Sequence, residues 1–413
     1  MTNPDGKISF LGGLKAVGTS IVVVFLSSSL ASAAGSAPGG AAKVSKGPQP
    51  ATFTIRVTPQ QQAAALAYWT RQRVADTPAL AMPVDNNYSI ADEAALAEPT
   101  DLGPEESTGP GAAALGAVAK ARAAFAEDWA ALNESMAPEA GAAVEAESDI
   151  LGATAIANVP TDSPADIMAG TPNVYTFYIV NAQAALQKIY PHQWVGRLTF
   201  NTPSGSASCS ATAISGNNIV TAAHCVYDTT ANKAYSQWVF TPAYRNGAAP
   251  FGTFAATYCT VTNNWINLTG SYDIGTWARH DVAVCTLGRN AAGQTLNDAV
   301  GFAGRIWNTG NNQLVFNSGY PQSDINGTVL SSPTQYLRSC TAETFLYTTE
   351  TLGSGCIFGP GISGGSWLIS YKPFMISGKV VSVNSGFFSG SQNLFGARFN
   401  SGNIVPLCNT RGC

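Results

Sequence analysis

An all-β unit behind an alanine-rich, partly helical N-terminal half is the fold class this chain predicts, and three observations carry it. Charged residues are 11% of the 413 residues, against about 25% in an ordinary soluble protein, while Gly alone numbers 41. Low charge with many turn residues reads as extracellular β-structure. From Gln193 onward, short runs rich in Val, Ile, Thr and aromatics alternate with Gly, Asn, Ser and Pro turns, the pattern of an all-β barrel or sandwich. All eight cysteines lie in that second half: Cys209, Cys225, Cys259, Cys285, Cys340, Cys356, Cys408 and Cys413. An even count confined to one unit fits a disulfide framework made in an oxidising compartment. Spacing alone does not choose among the pairings.

Charge divides the chain at the same place. Residues 1–194 carry 10 Lys+Arg and 18 Asp+Glu, and residues 195–413 carry 11 and 7. Halves of opposite sign can attract each other, as a prosegment and its client would, and two unrelated domains can show the same split by chance. The formal net charge of −4 gives no bulk electrostatic case for a nucleic-acid partner. With three His and no Cys-x-x-Cys pair, a structural zinc site is not expected.

At the N-terminus, Lys7 and Lys15 precede the apolar run Ile21–Leu26, and Ala31-Ser32-Ala33 follows. This is a secretory signal over residues 1–33. Ala16–Leu30 spans 15 residues with Thr and several Ser, short of the roughly 20 apolar residues a membrane span needs. Residues 34–190 are rich in Ala, Pro, Gly and acids. Ala34–Pro50 reads as linker, Gln60–Asp76 as a helix with Pro59 ahead of it, and Pro110–Met136 as a second helix. Pro138–Asp149 is an acidic Ala/Glu run. A helical or partly disordered, weakly packed prosegment is expected here. Expected strand pieces in the second half are Val195–Asn201, Ser208–Ile214, Ile219–Ala222, Gln237–Thr241, Asp281–Leu287, Leu314–Asn317, Phe374–Val383 and Gly396–Phe399. About 220 residues are enough for two small barrels, placed at about 195–290 and 300–413.

Three segments carry chemistry. Val220–Cys225 delivers His224 where a strand enters a turn. Asp281 opens the apolar stretch Val282–Leu287. Gly359–Trp367 sets Ser363 in a glycine loop, where the backbone can come close to a substrate and aim its N–H groups into one space. A serine hydroxyl is a poor nucleophile. It needs an imidazole as general base and a carboxylate to fix that imidazole's tautomer. Developing oxyanion charge needs adjacent N–H donors. His224, Asp281 and Ser363 fit those roles in that order, with Asp273 as a rival carboxylate.

These motifs resemble the trypsin/chymotrypsin-like serine peptidases. Thr221–Cys225 is similar to their histidine signature, Gly361–Gly365 to their serine signature and Asp281–Val284 to their aspartate strand. Ser208–Thr212 ahead of Ile219–Thr221 resembles the secreted microbial branch that includes the glutamyl endopeptidases. The resemblance covers about Trp194 to Phe399. It implies a chymotrypsin-like double β-barrel with a catalytic site in the cleft between barrels. It implies an oxyanion hole at the N–H groups of Gly361 and Ser363. It also implies the disulfides Cys209–Cys225, Cys259–Cys285, Cys340–Cys356 and Cys408–Cys413. A secreted, monomeric endopeptidase made as a proenzyme follows, acting on proteins or peptides and contacting its own prosegment. It needs no cofactor and leaves the membrane after signal cleavage.

Ile362 stands where the animal enzymes have an acid that pairs with the new N-terminus, so that activation switch cannot operate. Ser366 replaces a usual proline. In this family the substrate pocket is lined by the residues before the nucleophile and by the strand after it, here Ile357, Phe358, Asn384 and Ser385. No acid stands there to bind Lys or Arg, and Asn384 occupies the place of a histidine that holds substrate Glu. A neutral pocket is expected, unless Glu343 or Glu350 reaches it.

Overall fold

The computed structural model describes residues 51–86, 172–180, 188, 190–268, 273–371 and 377–413. The signal sequence, the Ala34–Pro50 linker, the helix expected in Pro110–Met136 and the acidic run lie outside these residues. The strands in chain order are β1 Thr52–Arg56, β2 Val84–Asp85, β3 Thr176–Ile179, β4 Val195–Thr202, β5 Gly205–Ile214, β6 Asn218–Thr221, β7 Tyr227–Asp228 and β8 Lys233–Ala234. They continue as β9 Ser236–Pro242, β10 Phe254–Thr262, β11 Ala283–Leu287, β12 Gly304–Arg305, β13 Leu314–Gly319 and β14 Arg338–Thr348. The last five are β15 Thr351–Gly355, β16 Ser366–Ile369, β17 Lys379–Val383, β18 Gly386–Phe388 and β19 Asn393–Ala397.

The first barrel runs β10-β11-β6-β5-β4-β9 and closes where β10 returns to β9, at Phe254↔Phe240 and Ala255↔Val239. Side chains two apart on one strand share a face. Leu198 and Phe200 of β4 therefore point inward together, with Val220, Phe240, Val261 and Val284, and none of them is exposed. The second sheet runs β12-β17-β16-β13-β14-β15-β19-β18-β2, with β3 on β14. Phe399 N–H donates to Val381 O at 3.2 Å and Ser385 N–H to Phe395 O at 2.9 Å, so the β19 end curls back against β17. Val315, Trp367, Val381 and Leu394 fill its interior. The all-β, trypsin-like fold class expected from the sequence is the one observed. No helix among the described residues is long and apolar enough to cross a membrane.

The cysteines form four disulfides: Cys209–Cys225, Cys259–Cys285, Cys340–Cys356 and Cys408–Cys413. The second joins β10 to β11, where Cys259 and Cys285 are already ladder partners.

The segment 51–86 departs from the expected weak packing. β1 pairs antiparallel with β10 from Thr52↔Thr262 to Arg56↔Tyr258. The expected Gln60–Asp76 helix is two helices, α1 Pro59–Tyr68 and α2 Arg71–Asp76. α1 begins in a capping box between Thr58 and Gln61 with Pro59 in the first turn, where a missing N–H costs nothing. The break follows from local competition. The Thr70 hydroxyl accepts from Arg73 N and caps a new helix, while the Trp69 indole donates to Gln237 O at 2.7 Å. Together they turn the chain onto the barrel wall.

Cys209–Cys225 closes a sequence separation of 16. Loop-closure entropy assigns such a bond about 3 kcal/mol. Replacing both cysteines by Ala is expected to lower unfolding stability by about that amount, read from denaturant midpoints. An unchanged midpoint would show that the loop is held by its packing alone.

Candidate active site

His224 and Asp281 are brought together by strand register. In the β6–β11 ladder Ala283 faces Thr221. Counting back on β11 and forward past β6 puts Asp281 beside Ala223–His224. The chain turns at Ala223–Cys225, and the Cys209–Cys225 bond ties that turn to β5. His224 Nδ1 lies 2.7 Å from Asp281 Oδ2, and its backbone N–H donates to Asp281 Oδ1 at 2.8 Å. The Ser385 hydroxyl donates to Oδ2 as well. Asp281 has no exposed surface, and three donors satisfy its carboxylate, as a buried anion requires. An ionised carboxylate only accepts, so Nδ1 carries the proton and Nε2 keeps its lone pair. Nε2 makes no hydrogen bond.

Ser363 sits in the turn between Phe358 and β16. Gly361 and Gly364 on either side have φ of +97° and +75°, a region open to glycine and strained for other residues. A Cβ on Gly364 would lie 2.1 Å from Thr221 Oγ1 and 2.8 Å from Ala222 N. The Ser363 loop thus abuts the strand end that carries His224. The hydroxyl of Ser363 is buried and makes no hydrogen bond. Among the described residues, the N–H groups of Gly361 and Ser363 also donate to none.

Ser210 of β5 joins the two halves. Its N–H donates to Ser363 O at 2.7 Å and its hydroxyl to Gly361 O at 2.8 Å. That hydroxyl accepts from Tyr320 N at 2.8 Å, and its carbonyl accepts from Thr221 Oγ1 at 2.8 Å. Nothing in the sequence singled this serine out. It lies within Ser208–Thr212, but Tyr320 and Gly361, the partners of its hydroxyl, are 110 and 151 residues away.

The pocket residues divide. Phe358 is buried in the apolar cluster of the second sheet, with Ile357 packed at its edge. Asn384, expected to face substrate, is tied inward: it accepts from Trp367 Nε1 at 2.7 Å and donates to Asn317 Oδ1 at 2.6 Å. Its side chain cannot meet a substrate while it makes those bonds. Ser385 is likewise spent on Asp281.

Asp273, the rival carboxylate, caps the helix Ile274–Ala278 and accepts from Thr276 N and Thr276 Oγ1. Burial pushes its carboxyl up, but the bonds from Thr276 and Gly275 hold it below the usual range. It makes no contact with His224. Glu350 pairs with Arg279 at 3.2 Å, and Glu343 lies on β14 opposite Leu314. His280, next to Asp281, is pushed below the ordinary imidazole range by burial and by Arg279 beside it. One trio of ligand-type side chains clusters among the described residues: Cys209, His224 and Cys225. Its two sulfurs are bonded to each other, which leaves no thiolate for a metal.

A cleft of about 1170 Å³ opens beside His224, and Tyr227, Trp265, Trp277, Leu80, Pro83 and Val84 are among its lining residues.

No curated protein matches the chain. Among solved structures it is similar to the protease Anisep from Arthrobacter nicotinovorans, at 26% identity and TM-score 0.45 over 54% of this chain and 96% of that one. It is similar to the thermostable serine protease AL20 from an extremophilic microorganism, at 24% and 0.43 over 54% and 98%. A Glu endopeptidase in complex with MPD matches at 18% and 0.45 over 60% and 100%. The trypsin family model matches residues 183–397, just over half of the chain and the whole stretch from His224 to Ser363. The chain therefore belongs to the trypsin family and is a serine endopeptidase.

Proposed function

We propose that Ser363 attacks the scissile carbonyl, His224 takes and returns its proton, and Asp281 holds the imidazole. The observation that carries this reading is the 2.7 Å contact from Asp281 to His224 Nδ1, which leaves Nε2 as an unoccupied base. The base and its orienting group are already aligned. The bond from nucleophile to base is not yet made, as is common before substrate binds. The attack gives a tetrahedral oxyanion, and the free N–H groups of Gly361 and Ser363 supply the two donors it needs. Collapse passes the proton from His224 to the leaving amine and leaves an acyl-Ser363. Water, deprotonated by the same imidazole, then releases the acid.

The same reading makes the chain a secreted proenzyme: signal 1–33, prosegment 34–190, catalytic unit 191–413. The cysteine framework and the opposite charges of the two halves support it. A monomer acting on protein or peptide substrates belongs to the same reading.

Ser363→Ala or His224→Ala is expected to lower kcat by about 10⁴–10⁶ with the fold intact, and Asp281→Asn by about 10⁴. Asp273→Asn should retain nearly full activity. Steady-state kinetics on a peptide substrate checks all four, and full activity in Asp281→Asn would remove that residue from the mechanism.

An imidazolium cannot accept the serine proton, so kcat/KM is expected to fall on acidification along a single ionisation. A rate flat from about pH 4 to 8 would count against His224 as the base.

A further inference from the structure

Resting on Ser363 as nucleophile, the geometry points to residues 78–85 as a strap that fills the substrate cleft backwards, with Met82 in the primary pocket. The segment enters on the β5 side. Leu80 N–H donates to Ser208 O at 2.8 Å, and Ser208 N–H to Pro78 O at 2.9 Å, a parallel bridge of Ala79 with Ser208. It leaves on the β18 side. Phe387 N–H donates to Pro83 O at 3.2 Å and Ser389 N–H to Asp85 O at 2.8 Å, so that β2 is parallel to β18. Its entry end touches the nucleophile loop, and its exit end lies against the start of β18. A Cβ on Gly361 would lie 3.1 Å from Ala79 Cβ, and one on Gly386 would lie 2.9 Å from Pro83 O.

Direction decides whether this segment can be cut. β5 approaches the centre from Ser208 to Ser210, which holds the Ser363 carbonyl. β18 recedes from it, since Ser385 at its start holds Asp281. The strap is parallel to both, so it comes in along β5 and goes out along β18. A substrate must do the reverse. Its acyl half lies by the pocket and β18 and has to run toward Ser363, antiparallel to β18, leaving along β5. A chain of opposite polarity presents its amides with N–H and C=O exchanged relative to Ser363 and the two oxyanion donors. It fills the cleft without offering a carbonyl in line for attack.

Side chains complete the fit. Met82 is 4% exposed and belongs to the apolar cluster that holds Phe358, Ile362 and Phe387. A flexible, unbranched thioether suits such a pocket. The ends are pinned from outside the cleft. Arg197 is fully buried and donates to Thr77 O, Ala79 N–H donates to Gln322 Oε1 at 2.7 Å, and Asp85 Oδ2 accepts from Ile274 N at 3.0 Å. The strap therefore mimics a substrate carrying an apolar residue without a β-branch, and Met or Leu is the side chain this pocket takes.

The test measures how fast a fluorophosphonate reagent labels Ser363 in the intact full-length chain, followed by mass spectrometry. Wild type and Met82→Leu are expected to label at least about tenfold more slowly than Met82→Asp, which places a charge in the apolar pocket, and than Asp85→Ala, which frees one end. Circular dichroism confirms that each variant is folded. The peptide Thr77–Asn86, added at millimolar concentration, is expected to slow labelling of the Met82→Asp chain and to be recovered whole. On a peptide library that chain is expected to cleave after Met or Leu. Labelling of wild type as fast as Met82→Asp and Asp85→Ala, or no slowing by the peptide, would overturn the strap. Cleavage of the peptide beside Met82 would overturn its reversed direction, and dominant cleavage after Arg, Lys or Glu would overturn Met82 as the pocket's occupant. No labelling of Ser363 in any form would instead overturn the nucleophile assignment on which the strap rests.

Discussion

The site depends on one buried residue that belongs to neither half of the chemistry. Ser210 sits on β5 of the first barrel, and its N–H, hydroxyl and carbonyl are all committed: to Ser363 O, to Gly361 O and Tyr320 N, and to Thr221 Oγ1. His224 and Asp281 are rigid with respect to the first barrel. Ser363 is rigid with respect to the second sheet. The relative position of the two is set by these short bonds, and misplacement by about an ångström can cost a hundredfold in rate. Gly364 is the matching constraint from the other side, since no side chain fits between it and Thr221.

Within the first barrel the same logic is carried by a buried anion. A carboxylate with no exposed surface is costly unless fully hydrogen-bonded. Asp281 meets that requirement with three donors from three places: the His224 backbone, the His224 ring and Ser385 of the second sheet. Satisfying the charge also orients the ring, so the structural need and the chemical need are met by the same bonds. The Ser385 contact means that the carboxylate feels both halves of the fold.

The N-terminal segment uses the strand edges that the catalytic unit leaves open. β9 reaches only Phe254 and Ala255 of β10, and β1 takes the adjoining length from Tyr258 to Thr262. At the other end β2 extends the second sheet beyond β18. Exposed strand edges invite pairing, and here that tendency holds a segment across the cleft. The composition break near Gln193 is real as chemistry, but it is not the boundary of the packed body. Residues 51–86 are built into the barrel despite their helical, alanine-rich composition.

What the sequence determined by itself was whatever is local. Alternation of β-branched and turn residues marked the strands. The glycines around Ser363 and the strand end at His224 marked the loops proposed to be catalytic, because tight turns and close backbone approach leave a signature in adjacent residues. Asp281 was separable from Asp273 because an apolar strand follows it. What only the tertiary structure decided was long-range. Ser210 on a strand and Ser385 between two strands are ordinary serines until folding brings partners more than a hundred positions away within hydrogen-bond reach. Asn384 stood at a pocket position by resemblance, yet Trp367 and Asn317 draw it inward. Thr77–Asn86 carries none of the motifs read from the sequence. Its direction across the cleft, and with it the burial of Met82, is a property of strand pairing between distant segments. No local pattern of residues encodes that polarity, because a strand's composition is the same whichever way its neighbour runs.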